Sequence, residues 1–272
     1  TNNYRWFIRK SFIKKNHLLF FNMAGHSKFK NIMFRKGAQD KKRAKIFAKL
    51  GREIQIASKQ GGIDPDSNHR LRTAIDAAKA ANVPKDNIER AIKKGSSNET
   101  NNLEEIKYEG FGPGSTSLIV ETMTDNKNRT VSEIRQIFSK NGGSIAENGS
   151  VSHSFKRKGE LIYKADKALE NKVFDFAVEA GADDIINEDE NYTVYCDPNK
   201  IISIKEKISE LSIELISVSL TWISSNRINI NKENGKKLFN LINQLEDNED
   251  VQNISSNYDI SNEVFDTIEF DN

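Results

Sequence analysis

The sequence predicts an α+β protein of three domains: an N-terminal helical domain followed by two ferredoxin-like α/β domains, one inserted into the other. Three observations carry this. Apolar residues recur with a helical period up to about residue 95 and mostly with period 2 in the strands that follow. Residues 158–224 read as strand-helix-strand-strand-helix-strand, the split βαβ order. The piece at 103–157 lacks a closing helix and strand, and the 225–272 piece has both to spare.

In chain order, residues 36–60 form a first long helix, stopped by Gly61-Gly62. Asp64-Pro65-Asp66-Ser67 makes a turn with capping side chains. Leu71, Ala74, Ile75, Ala78 and Ala81 give a second helix its apolar side, and Ile88, Ala91 and Ile92 give a short third one, ended by Gly95. This is the helical domain, 23–95. A polar linker, Ser96 to Asn102, leads to short strands around Ile106–Glu109 and Ser117–Thr122, joined by a Gly-rich turn. A helix follows with Val131, Ile134, Ile137 and Phe138 on one side, then strands at Ser144–Ile145 and Val151–Phe155. The 158–224 unit carries strands at 161–163, 184–186, 192–195 and 213–222, with helices at 168–180 and 201–211. The tail offers a helix at 233–245 and a strand at 251–254, returning to complete 103–157.

Charge is unevenly distributed. The chain of 272 residues has a net charge of +2, yet residues 23–95 carry 18 Lys/Arg against 7 Asp/Glu, while residues 96–272 carry 18 against 32. At 100° per residue Lys42, Lys45, Lys49 and Arg52 share one narrow arc of the first helix; Ile46, Phe47, Leu50, Ile54 and Ala57 form a separate apolar stripe. A helix that docks by one face and offers cations to solvent on the other suits a line of phosphates. The residues expected to contact nucleic acid are Lys28, Lys30, Arg35, Lys36, Lys41, Lys42, Arg43, Lys45, Lys49 and Arg52. Six such contacts would give a log-log salt slope of about −5 on B-DNA and about −4 on single strands. Phe29 and Phe34 interleave with the cations, where they could stack on unpaired bases or seat the arm against the helix. No recognition helix with base-reading side chains stands out, so the expected binding follows shape and backbone.

No catalytic constellation is found. The four histidines, His17, His26, His69 and His153, lie in different elements without metal-ligand spacing, and Cys196, the sole cysteine, excludes an intrachain disulfide. No cofactor or metal is called for, and no apolar run approaches a membrane span. Gly110-Phe-Gly112-Pro-Gly114 lacks the Lys-Ser/Thr of a P-loop and joins two strands, so it reads first as turn chemistry, with a backbone contact to a partner as the other reading. Lys127 and Arg129, in the loop that opens a helix, offer a further phosphate contact beside the reading of an ordinary capping loop. An enzyme acting on nucleotides through Gly110–Gly114 is the alternative function.

Residues 1–22 carry five Lys/Arg and no acid, with aromatics such as Tyr4, Trp6 and Phe7. An organelle transit peptide fits, giving a mitochondrial matrix location; so does a start at Met23, giving a cytoplasmic one. A loosely attached segment is expected either way.

Several motifs carry a resemblance. Met23-Ala-Gly-His-Ser-Lys-Phe, Arg35-Lys-x-Ala-Gln-Asp-x-Lys-Arg43 and Asp64-Pro-Asp…Asn68-x-Arg-Leu-Arg72 resemble the YebC family. So do Tyr108-Glu-Gly-Phe-Gly-Pro-Gly114, Asp125-Asn-x-Asn-Arg-Thr130 and Phe138-Ser-Lys-x-Gly-Gly143. The resemblance runs from Met23 to about residue 265 and implies a helical domain plus two α/β domains, one interrupting the other. The family includes bacterial transcriptional regulators that bind DNA, ribosome-associated translation factors and a mitochondrial translational activator of cytochrome c oxidase subunit I. The resemblance therefore implies a non-enzymatic regulator of gene expression, with DNA or ribosomal RNA, and the ribosome itself, as partners. The cations from Lys28 to Arg52 are the positions to which nucleic-acid contacts carry over. A monomer is expected. Phe29 stands where the family has Trp, and Met33-Phe34 replaces a more polar pair; neither removes a charge.

Overall fold

The computed structural model describes residues 39–97, 103–188, 190–261 and 264–265, with backbone alone for 39–42 and 188. Within these residues Lys158–Leu220 forms one compact unit, and the residues up to Arg157 together with those from Thr221 form another.

The larger unit begins with α1 (Gln39–Gly61), α2 (His69–Ala80) and α3 (Lys85–Ser96). Their apolar stripes meet in one cluster of Ile54, Ala57, Leu71, Ala74, Ile75, Ala78, Val83, Ile88 and Ala91, with Phe47 and Leu50 packed against it. The apolar stripe expected on α1 is thus the docked one. The turn into α2 is capped by Asn68, not by Asp64 or Ser67. Its side chain accepts from the Leu71 amide at 3.0 Å and donates to the Ala57 and Gly62 carbonyls, each at 2.8 Å. A side chain at Gly95 would run into the Gln55 carbonyl, so glycine lets α3 lie directly on α1.

The sheet of this unit contains β1 (Glu104–Gly112), β2 (Thr116–Thr124), β3 (Ser144–Ala146) and β9 (Val251–Ser256), in the order β3-β1-β2-β9. Neighbouring strands are antiparallel, with Tyr108 opposite Val120 and Val120 opposite Ile254. The helix α4 (Lys127–Lys140) joins β2 to β3, which flank β1; this is a split βαβ crossover. The C-terminal helix α7 (Lys232–Asp247) leads into β9, which pairs with β2. Leu118, Val120, Ile134, Phe138, Leu238, Phe239 and Leu245 are buried between sheet and helices. On the opposite face, Ile119, Val151 and Phe155 cluster with Trp222. A two-residue parallel pair, β8 (Ile228–Asn229) with β10 (Tyr258–Asp259), borders the tail.

Two sequence expectations fail here. Gly110–Gly114 is not all turn: Gly110 and Gly112 lie in β1, opposite Leu118 and Thr116, and only Pro113–Ser115 turns. Val151–Phe155 is not a strand: residues 152–154 form a single 3₁₀ turn, and the strand starts at Phe155. Val151 and Phe155 are buried while His153 between them is exposed, whereas an alternating strand would put all three on one face. The amides of Val151 and Ser152 donate instead to the Glu109 carboxylate, at 2.8 and 2.9 Å.

The smaller unit is built on β4 (Phe155–Lys164), β5 (Asp184–Glu188), β6 (Asn191–Cys196) and β7 (Leu215–Ser224), with α5 (Glu170–Glu179) and α6 (Ile201–Ser209) as crossovers. The order β5-β6-β4-β7 is that of a ferredoxin-like sheet. Leu161, Tyr163, Val194 and Cys196 share its buried face with Val173, Ala177, Ile201, Ile204 and Ile208 of the helices.

Candidate nucleic-acid interface

Lys28, Lys30, Arg35 and Lys36, with Phe29, Phe34 and the 1–22 extension, lie outside the described residues; Lys41 and Lys42 are on α1 with only their backbone described. Lys45, Lys49 and Arg52 continue the cationic arc of that helix, and Arg43 lies off it. Arg43 is exposed, its guanidinium 6.0 Å from the Phe47 ring centre.

The next three cations meet the protein's own acidic residues: Lys45 stays exposed as the sequence predicts, while Lys49 and Arg52 are half-buried. Lys45 Nζ lies 2.6 Å from Asp247 Oδ1 and 3.4 Å from the Asp247 carbonyl oxygen. Arg52 donates to the Glu249 carbonyl, and Nη1 stands 3.5 Å from Asp250 Oδ1. Lys49 is half-buried; burial lowers its pKa, opposed by the nearby Glu246 and Asp247 carboxylates. The partner of the stripe is therefore Glu246-Asp247-Asn248-Glu249-Asp250, where α7 ends and β9 begins. A helix C-terminus adds its partial negative charge to those of the carboxylates. A wheel projection separates polar from apolar sides, but cannot tell an open polar side from one facing a distant acidic segment.

Asp250 is the fixed point of this contact. Its side chain is 6% exposed, and Oδ2 accepts from the hydroxyls of Thr124 at 3.1 Å and Thr130 at 2.7 Å and from Arg129 at 2.9 Å. Burial would raise its pKa, yet the donors Thr130 and Arg129 outweigh burial and hold the carboxyl below its ordinary range. Arg129 also pairs with Asp125 at 3.0 Å, and Asn126 caps α4 by accepting the Arg129 amide at 3.1 Å. The Asp125-to-Thr130 motif thus builds a clamp on Asp250. Of its two candidate phosphate contacts, Arg129 is committed to carboxylates and Lys127 is exposed.

The glycines at the end of β1 and in the turn after it are packed from within. A Cβ at Gly110 would come 2.6 Å from Phe138 Cε1, and one at Gly112 would come 2.7 Å from Leu118 Cδ1. Gly114 has φ +71°, a conformation that favours glycine, and Pro113 is buried. Glycine is needed here for the approach of neighbouring side chains. Glu109, 1% exposed, anchors the same strand; burial would raise its pKa, but the Val151, Gly149 and Ser152 amides and Lys107 bring it down to about 2.

Sequence reading did not find Asp250, Glu109 or Arg70. Arg70 ties α2 to α1 through Glu53 at 2.8 Å and to β1 through Glu105. Arg70 and Glu109 lie within motifs quoted above, which give them no role, and Asp250 lies in an acidic run that singles out none of its members. In the larger unit α1, α3, α4 and the 247–250 turn also enclose a cleft of about 1260 Å³, lined by Phe47 and Ile88 and by Arg52, Arg90, Lys94 and Asp250. Among the described residues no group of three or more His, Cys, Asp and Glu is placed to hold a metal, and no helix is long and apolar enough to cross a membrane.

Comparison with known proteins places these elements. Residues 27–98 match the family profile described as the TACO1/YebC protein N-terminal domain, and residues 103–258 match that of the TACO1/YebC second and third domain. The probable transcriptional regulatory protein ZMO0153 of Zymomonas mobilis is 46% identical over 246 residues, covering 90% of this chain and 99% of the relative. The crystal structure of the conserved hypothetical protein Aq1575 from Aquifex aeolicus superposes with a TM-score of 0.76 at 41% identity, covering 80% of this chain and 91% of that one.

Proposed function

We propose that this chain, which belongs to the TACO1/YebC family, is a non-enzymatic regulator of gene expression that binds nucleic acid through its helical segment. The observation that carries the reading is the placement of charge on α1–α3. Their apolar residues turn to a common cluster, while Arg43, Lys59, Lys79 and Lys93 stay exposed in a region, 39–96, with 14 Lys/Arg against 7 Asp/Glu. Such a surface attracts a phosphate backbone over distances of about a Debye length, roughly 8 Å at physiological salt, without reading sequence. The name of the Zymomonas mobilis relative points the same way, toward transcription. The arm and the start of α1, from Lys28 to Arg43, make the first contacts, and Lys45, Lys49 and Arg52 extend the line.

DNA and ribosomal RNA present the same charge line, so the test uses both. Fluorescence anisotropy against a duplex and against a ribosomal RNA fragment, repeated across salt concentrations, should give a log-log slope of about −4 to −5. Sedimentation of cell extract through a sucrose gradient then separates the targets: co-migration with ribosomal subunits selects translation, and absence from them selects DNA. Lack of measurable affinity for either probe at low salt would overturn the reading.

A further inference from the structure

We propose that the acidic turn 246–250 is a built-in competitor for the polyanion, covering Lys45, Lys49 and Arg52 until nucleic acid displaces it. This inference rests on the nucleic-acid reading and concerns regulation of that same surface.

The turn presents carboxylates to the cationic row much as a phosphate strand would. Asp247 meets Lys45 at 2.6 Å, Glu246 and Asp247 lie beside Lys49, and Arg52 takes the Glu249 carbonyl and faces Asp250. Its two ends are held very differently. Asp250 is buried and gripped by Thr124, Thr130 and Arg129, so the C-terminal end stays in place. The Lys45 and Asp247 side chains are 44% and 78% exposed, and an ion pair so exposed contributes little and is screened by salt. A multivalent polyanion arriving at the exposed Arg43 can therefore take Lys45 and then Lys49 from the turn, while Asp250 keeps its seat. The exchange conserves charge pairing, since phosphate oxygens replace carboxylate oxygens at the same ammonium groups. Displacement lowers the apparent affinity by the fraction of molecules in which the turn is closed.

The test compares the wild-type chain with Glu246→Gln/Asp247→Asn and with a control of equal charge change at exposed acids away from the row, Glu147→Gln/Glu233→Gln. The probes are a DNA duplex and a ribosomal RNA fragment at about 0.1 M salt. The turn variant should bind at least fivefold tighter than wild type, and the control less than twofold tighter. Hydrogen exchange gives a second readout: the Asn248 amide, bonded to the Leu245 carbonyl at 3.1 Å, should exchange faster in the complex than in the free protein. Binding by wild type with equal gains in both variants, or with slower exchange at Asn248, overturns the competitor and leaves the nucleic-acid reading standing. Absence of binding by all three proteins overturns both.

Discussion

Arg52 and Asp250, 198 positions apart in the chain, stand 3.5 Å apart across the start of β9. The contact joins the basic helical segment to a buried carboxylate held by three further donors. Asp250 also receives Thr124 from the end of β2 and Arg129 and Thr130 from the start of α4. One side chain therefore holds together helix α1, the crossover and the strand that the tail contributes.

Asp250→Ala leaves those donors without their shared acceptor in a buried place. Hydrogen bonds to a charged group are worth about 1.5–3 kcal/mol each and are not additive, so a loss of roughly 3 kcal/mol is expected. Urea unfolding monitored by circular dichroism measures it. Thr130→Val should cost about 1 kcal/mol, and a change below half of that in Asp250→Ala would mean the clamp carries no stability.

Glu109 and Asp250 both have folded-state pKa values below those of the unfolded chain. Such groups contribute stability that is present above the unfolded carboxylate value and lost as pH falls through the folded one. For Glu109 the window runs from about pH 4.5 down to about 2, and its full contribution is of the order of 3 kcal/mol. Unfolding free energies measured at pH 7, 4.5 and 3 should change little over the first interval and fall over the second. Glu109→Gln should be less stable at pH 7 and show a shallower fall.

Gly110→Ala places a methyl group against Phe138 and the Ser144 carbonyl. Overpacking of this kind costs about 1–3 kcal/mol, so the melting temperature should drop by several degrees. A nucleotide-turnover assay on the folded wild-type chain tests the alternative enzymatic role of this turn; no turnover is expected.

Lys45→Glu/Lys49→Glu removes two cations from the proposed contact line and sets new carboxylates against Glu246 and Asp247. Nucleic-acid affinity should fall at least tenfold. Stability should fall by about 1 kcal/mol, because the lost pair is exposed and like charges replace it. Anisotropy titration and chemical denaturation on one sample separate the two effects.

Burial pushes the Cys196 thiol up to about 12, with Asp183 and Asp197 adding to the rise. The folded chain should resist thiol-specific reagents at pH 8 and react fully once unfolded, as followed by absorbance of the released thiolate.

By itself the sequence determined the α+β class, the apolar sides of the helices and the ferredoxin-like order of 158–224, because period and turn residues act over a few neighbours. It also indicated that the tail returns: 103–157 lacks a helix and strand, and in the structure β9 completes the sheet beside β2. A turn between the first two strands was legible at Pro113-Gly114, but Gly110 and Gly112 belong to β1, and the atoms that forbid a side chain there, of Phe138 and Leu118, are placed by packing. Tertiary structure alone decided what the cationic side of α1 faces. Lys45 and Asp247 are 202 positions apart, and no local pattern in either stretch records the other. Charge fixes that a side of a helix is polar, whereas only the folded chain decides whether water or its own acidic turn sits opposite.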